Sequence, residues 1–159
     1  VATTQATLFL KAHKVDFDIL EYEHDPRSEA FGLEAVEKLG LDRATVFKTL
    51  VVSDEASPAK HALALVPAAE KLSFPAAAKA LNWKRAAMAK PADAQRLTGY
   101  VLGGISAFGT KRPLPVVVDA SMLTHPLVHL SGGKSGLEIR LPPQALIDLL
   151  KAAVADICA

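Results

Sequence analysis

Cysteine is almost absent: the 159 residues contain one, Cys158, beside the last position. A single thiol cannot close an internal disulfide, and this usage points to a reducing, cytoplasmic setting. At a chain end the thiol also lacks the fixed, activating surroundings that a nucleophile needs. Aromatic side chains are few, 6% of the chain with one Trp, so the core has to be aliphatic and alanine-rich. Excess charge is missing as well. Lys and Arg total 18 against 17 Asp and Glu, a net charge of +1. That balance excludes a broad electrostatic footprint for nucleic acid. An RNA contact has to be a local patch, or a partner has to supply the grip. No apolar run is long enough to span a bilayer, and residues 1–14 lack the sections of a secretion signal. Internal repeats and low-complexity tracts are lacking too. Half of the residues are hydrophobic, enough for one sizeable core, so residues 1–159 are expected to form a single domain.

Several catalytic signatures are also missing. There is no H-E-x-x-H and no C-x-x-C, so no metal site is expected. His125 and His129 are four apart but flank Pro126, and that spacing brings side chains together only on a helix. There is no G-x-S-x-G elbow, no G-x-G-x-x-G after a strand and no phosphate loop. No cofactor is expected.

What is present alternates irregularly between helix and strand patterns. A helix is predicted over Thr4–His13, with Thr3 or Thr4 as its cap. Val15, Phe17 and Ile19 alternate as a strand, and Leu20, Tyr22 and His24 continue in the opposite phase, which a bulge near Ile19 accounts for. Asp25-Pro26 ends that strand. Gly32 reads as the cap of a helix over Leu33–Leu39 that Gly40 closes. Strands are predicted over Val46–Val52 and His61–Val66, with a polar loop over Asp54–Lys60 between them. Ser73 caps a helix ending near Asn82, a short strand covers Ala86–Ala89, and Pro91 opens a helix that stops at Gly99. Strands follow at Leu114–Asp119, Leu127–Leu130 and Leu137–Leu141. A last helix from Pro142-Pro143 carries Leu146, Leu149, Leu150, Ala153 and Ile157 on one side. The expected fold class is mixed α/β: a largely antiparallel, partly closed β-sheet with helices packed outside.

Two glycine clusters and one lysine stand out. Gly103-Gly104-Ile105-Ser106 and Ser131-Gly132-Gly133 each allow bare main chain to approach a ligand, with successive N–H groups able to hold an oxyanion or phosphate. Two tight turns fit the same residues equally well. Ser106 and Ser131 have no adjacent base, which favours binding over nucleophilic roles. Lys48 lies within Phe47-Lys48-Thr49-Leu50, an otherwise apolar strand. A lysine facing a core is rare unless paired or functional, whereas a solvated strand face asks nothing of it, and alternation fits both.

Taken together, Phe47-Lys48-Thr49-Leu50, Gly99-Tyr100 with Gly103-Gly104-Ile105-Ser106, and Ser131-Gly132-Gly133-Lys134 with Gly136-Leu137 resemble the motifs of the YbaK family. Tyr22-Glu23-His24-Asp25-Pro26, Phe31-Gly32 and Lys38-Leu39-Gly40 fit the same pattern. YbaK proteins are bacterial Cys-tRNA(Pro) deacylases within the wider group of prolyl-tRNA synthetase editing domains, and the resemblance runs from about Thr4 to about Ile157.

The resemblance implies a mixed sheet flanked by helices, with Lys48 as the key residue of the pocket. Tyr22, Phe31, Thr49, Gly103 and Ser131 match positions lining the family's site. Glu138 stands where the family pattern has aspartate, and Ala107-Phe108 follow Ser106 where the family loop usually continues with proline. The implied activity is a trans-editing hydrolase acting on the aminoacyl ester of mischarged tRNA. Backbone amides of Gly103, Gly104, Ile105 and Ser106, and of Ser131, Gly132 and Gly133, would stabilise the oxyanion. Lys48 would hold the 3′-terminal phosphate or the ester oxygens, and the thiol of the bound cysteine would attack its own carbonyl. The implied partners are aminoacyl-tRNA and a complex with prolyl-tRNA synthetase; neither a membrane nor DNA is expected. Lys84, Arg85, Lys90, Arg96, Lys111 and Arg112 are candidates for phosphate contacts at the pocket mouth. The competing readings are a non-catalytic module that binds a nucleotide or a tRNA end, and a water-mediated deacylase for another small amino acid such as alanine.

Overall fold

A computed structural model describes residues 3–28 and 31–159, leaving aside the side chain of Phe31. The chain begins with α1 (Gln5–Ala12), where Thr4 is the N-cap: its hydroxyl accepts the Thr7 N–H, and the Thr7 side chain closes the reciprocal bond. Next come β1 (Asp18–Glu21), α2 (Phe31–Leu39), β2 (Phe47–Asp54) and β3 (Ser57–Pro67). They are followed by α3 (Phe74–Leu81), β4 (Ala86–Met88), α4 (Pro91–Thr98) and β5 (Val116–Asp119). The remaining elements are β6 (Val128–Ser131), β7 (Leu137–Leu141), α5 (Pro143–Leu150) and β8 (Ala153–Ala155).

The strands form two sheets, one ordered β1-β7-β6 and the other β4-β2-β3-β5-β8. All pairings are antiparallel except β3–β5 and β5–β8. A parallel bridge between Val46 and His129 joins the sheets along the lower edge of β2. The expected architecture, mixed and mostly antiparallel with helices outside, is what the chain adopts.

Period-two burial decides which side of each strand meets which core. Phe47 and Val51 of β2, Leu63 and Leu65 of β3, and Val116 and Val118 of β5 pack against Leu130 of β6 and Ile139 and Leu141 of β7. The alternate residues Val52, Ala62, Ala64, Val66 and Val117 pack under α3 with Leu72, Ala77 and Ile157. β3 is therefore buried on both faces along its second half, as expected of a central strand.

Four boundaries differ from expectation. The segment 54–60 is no open loop: β3 begins at Ser57, and a tight turn at Glu55-Ala56 joins it to β2. Asp54 makes that turn, its carboxylate accepting the Ala56 N–H. The phase switch near Ile19 needs no bulge, because β1 pairs β7 in regular register from Asp18 to Glu21, and Val15 and Phe17 pack on the core before the strand starts. The register shift lies instead at Ser53/Asp54. Gly32 does not cap α2 but sits in its first turn, where a Cβ would come within 2.7 Å of the Ala68 Cβ; it lets the helix lie against the end of β3.

The last helix is also shorter than its apolar pattern. It stops at Leu150, with Lys151 left-handed at φ 51°, and residues 153–155 add a strand parallel to β5. Sequence alone missed this because Ala153 and Ile157 fit helical spacing. The choice is made by Asp119, whose carboxylate accepts the Ile157 N–H at 2.9 Å and the Ser121 N–H and Oγ–H. Burial pushes this carboxyl up, but those bonds and one from Cys158 outweigh it and hold it below the ordinary aspartate value.

Asp119→Ala should therefore cost about 1–3 kcal/mol and release the C-terminal strand. Denaturant unfolding followed by the fluorescence of Trp83, which packs on the same cluster, measures it. Because the native carboxyl titrates below its unfolded value of about 3.9, the stabilisation is complete above that pH. It fades as pH falls through the native value, and the variant should lack that component of acid lability.

Candidate active site

β2 has two different neighbours along the edge that faces away from β3. Val46, just before it, bridges to His129 of β6, and Val52–Asp54 pair with β4. The Ala89 N–H extends the second ladder to the Val51 carbonyl. Between these partners no strand among the described residues pairs with the edge. Main-chain groups alternate sides along an antiparallel strand: Val46 O accepts the Ala68 N–H on the β3 side, and Val51 O accepts from Ala89 on the other. The N–H and C=O of Thr49 therefore point away from β3, into the gap.

A cavity of about 750 Å³ fills this gap. It is lined by residues from both faces of β2, including Lys48, Thr49 and Leu50, and by Gly32 and Leu33 of α2. Its far wall is Tyr22, Ser131 and Glu138, and its roof is Gly103, Ile105 and Met88. Strand register explains the polar wall. Ser131 and Glu138 are direct partners across β6 and β7, and Leu20, two residues before Tyr22, is the partner of Glu138 on β1.

Most of the expected site residues thus meet in one place: Lys48, Gly103 and Ile105, with Tyr22, Thr49, Ser131 and Glu138. The side chain of Phe31 lies outside the described residues. Gly104, Ser106, Gly132 and Gly133 are not in the cavity wall, and the amides of the three glycines are engaged elsewhere. The Gly104 N–H donates to Val101 O and the Gly132 N–H to Leu137 O. The Gly133 N–H donates to Ser131 Oγ, and the fully buried Ser106 hydroxyl accepts the Phe108 N–H.

These glycines serve close packing of two bends against each other. A Cβ on Gly104 would stand 2.8 Å from Lys134 Cα, and one on Gly133, at φ +108°, would stand 2.9 Å from the Tyr100 ring. Ser135 Oγ donates to Gly103 O across the same junction, and Thr4 Oγ donates to Gly132 O. The amides left for a ligand are those of Gly103 and Ile105, which meet no acceptor among the described residues, and that of Thr49 on the open edge. The last was not foreseen, because an unpaired strand edge leaves no mark in the sequence.

Lys48 is half-buried, and among the described residues it makes no ion pair. Burial lowers its pKa; Cys158 and Glu70 pull it back up and Lys71 pushes it down, leaving it below the ordinary lysine value. Thr49 Oγ1 is buried without a partner among the described residues. Glu138 is 6% exposed, and burial alone pushes its carboxyl up to about 8. Burial, with help from Glu138, raises the Tyr22 hydroxyl to about 12.

The helix flanking the cavity is held by a residue that sequence reasoning passed over. Glu34 accepts from the Asp25 N–H at 2.8 Å, meets His24 Nδ1 at 2.6 Å and pairs with Lys38. Burial pushes its carboxyl up, but these partners outweigh it and keep it below the ordinary glutamate value.

Among the described residues, no histidine or cysteine lines the cavity. His129 is buried beside the sheet junction, Nδ1 3.1 Å from Thr45 Oγ1. Cys158 lies in a separate recess with Glu70 and His125, and burial and Asp119 push its thiol up to about 11. Among the described residues no three His, Cys, Asp or Glu side chains gather as metal ligands would, and no helix is long and apolar enough to cross a membrane. The basic residues expected at the mouth are not in its wall; Arg85 pairs with Glu55 and Arg96 with Asp93. Lys134, from the second bend, is there instead.

Comparison with known proteins gives a consistent picture. Residues 28–149 match the aminoacyl-tRNA editing domain family. A protein of Enterococcus faecalis, EbsC, whose name assigns it provisionally as a Cys-tRNA(Pro)/Cys-tRNA(Cys) deacylase, is 31% identical over 156 residues, covering 97% of this chain and 92% of that one. A crystal structure described provisionally as a trans-editing enzyme for prolyl-tRNA synthetase superposes with a TM-score of 0.83 at 25% identity, over 100% of this chain and 99% of that one. The hypothetical protein APE2540 shares the fold, with a TM-score of 0.85 at 22% identity over 98% of this chain and 100% of the other.

If the glycine bends are packing devices, Gly104→Ala should lower stability by about 1–3 kcal/mol through overpacking against Lys134. Thermal unfolding measures this, and an unchanged midpoint would show that the bends have room to part.

Proposed function

This chain belongs to the aminoacyl-tRNA editing domain family, a family of deacylases, and we propose that it releases cysteine from mischarged tRNA(Pro) in trans. The carrying observation is the composition of one cavity: two lysines, an open strand edge and hydroxyls, with no histidine or cysteine among the described residues of its wall. Its volume of about 750 Å³ is of the size that small-molecule sites take, enough for an aminoacyl group and its terminal ribose.

In this reading Lys48 faces the anionic end of the substrate, the 3′-terminal phosphate, and holds it by charge-assisted hydrogen bonds. The ester carbonyl lies toward the amides of Gly103, Ile105 and Thr49. Such donors are worth most where the negative charge develops, about 3 kcal/mol each. An aminoacyl ester is already activated, so orientation and oxyanion stabilisation suffice if an attacker is at hand.

The attacker we propose is the substrate's own thiol. It loses its proton, its sulfur bonds to the carbonyl carbon, and the ester C–O bond breaks as the ribose hydroxyl leaves with a proton. Water then opens the resulting four-membered thiolactone to free cysteine. A site without its own thiol or imidazole suits this route, because only a side chain bearing a nucleophile at the right distance completes it.

Among its described residues the wall holds two cations, Lys48 and Lys134, and the chain has a net charge of +1. Binding to tRNA is therefore thin, and we assign the choice of tRNA to a complex with prolyl-tRNA synthetase.

Deacylation of purified charged tRNAs tests the scheme. Cys-tRNA(Pro) should be cleaved while Ala-tRNA(Pro) and Ser-tRNA largely survive. Equal rates on Ala-tRNA(Pro) would make water the attacker, and no release from any of them would leave a binding module. Lys48→Ala should lower kcat/KM by about a hundredfold or more with an unchanged circular dichroism spectrum; full activity in that variant would remove Lys48 from the mechanism.

A further inference from the structure

Among the described residues, Glu138 is the one carboxylate in the cavity wall. The other buried acids are satisfied: Glu34 by His24, Lys38 and the Asp25 N–H, Asp54 by the Ala56 N–H, and Asp119 by Ser121 and Ile157. Glu138 has no hydrogen-bond or ion-pair partner among the described residues, although it is 6% exposed. Neither Lys48 nor Lys134, the two cations of the wall, pairs with it. A carboxyl held this way is costly as an anion until a cation arrives.

We infer that Glu138 anchors the α-ammonium group of the aminoacyl moiety and so makes the enzyme selective for esters with a free amine. The inference rests on the editing function proposed above. The aminoacyl end of the substrate carries one cation, its α-ammonium, and the cysteine side chain adds no second cation. The nearest phosphate carries the opposite charge.

The cavity mirrors that distribution. Lys48 stands on β2, and Glu138 stands on β7 beyond Ser131. A substrate bound with phosphate to the first and ammonium to the second is fixed at both ends, and the ester lies between them beside the open edge of β2. Burial favours the protonated carboxyl near neutrality, its value being pushed up to about 8. When the ammonium enters, the carboxyl gives its proton to solvent, and a buried pair replaces a buried neutral acid. Ser131, directly across the ladder, offers a hydroxyl to the same pair.

The test compares Cys-tRNA(Pro) with N-acetyl-Cys-tRNA(Pro), since acetylation removes the positive charge and leaves the thiol and the ester. Wild type should favour the free amine by about tenfold or more in KM. In Glu138→Gln that preference should collapse toward unity, and Glu138→Asp should retain part of it. Equal loss on both substrates in Glu138→Gln, with the preference intact, would reduce Glu138 to a structural role and overturn the anchor. The wild-type comparison decides independently of how the variant folds. Equal treatment of the two esters overturns the anchor alone, and hydrolysis of neither overturns the editing function, with which the anchor falls.

Discussion

The site exists because β2 changes partners along one edge. β3 covers its other edge from Phe47 to Asp54, which fixes the strand rigidly. On the open side the described bridge to β6 lies just before it, at Val46, and β4 takes up the pairing at Val52. Unpaired main-chain groups are costly when buried, so this interval has to face either water or a ligand. The cavity occupies it, and side chains from both faces of the strand reach the same space. Lys48 and Thr49 alternate in direction yet line one cavity for this reason. A fully paired β2 would place them on opposite sides of a closed sheet.

The glycine bends support this gap instead of supplying most of its donors. Their amides at Gly104, Gly132 and Gly133 are consumed internally, and the space a side chain would occupy is filled by Lys134, Leu137 and Tyr100. Tyr100 itself is anchored to Phe108 O at 2.5 Å. The result is a stiff roof in which two loops distant in sequence act as one body. From the two predicted clusters, only Gly103, Ile105 and Ser131 face the cavity. Rigid positioning of a few donors is what electrostatic stabilisation of an oxyanion demands.

Charge is distributed by the same logic. Glu34 and Asp119 each pin a segment, the first holding α2 beside the cavity and the second the C-terminal strand, and each has hydrogen bonds enough to remain ionised. Glu138 and Lys48 have no such partners among the described residues, and burial moves both toward their neutral forms. Groups whose charge the protein itself leaves unsupported are the ones a ligand of opposite charge stabilises most. A cation and an acid, each without a partner among the described residues and at separate points of one cavity, suit a substrate that carries both signs.

Local patterns in the sequence determined the helices, the order of the strands and the mixed fold, because capping residues, prolines and burial alternation act over a few positions. Thr4, Ser73, Pro91 and Gly99 punctuate the chain where the residues themselves require it. The association of Lys48 with both bends also came from the sequence, through the resemblance of its motifs to a known family; spacing alone left the lysine equally at home on a solvated face. The tertiary structure decided what depends on partners far along the chain. The end of α5 and the strand after it follow from Asp119, more than thirty residues upstream (Ile157 lies 38 positions away). The open edge of β2, the engagement of the glycine amides and the lack of a partner for Glu138 among the described residues follow from which strands stop short of one another. Those are properties of strand pairing and of enclosed space, and no local run of residues encodes them.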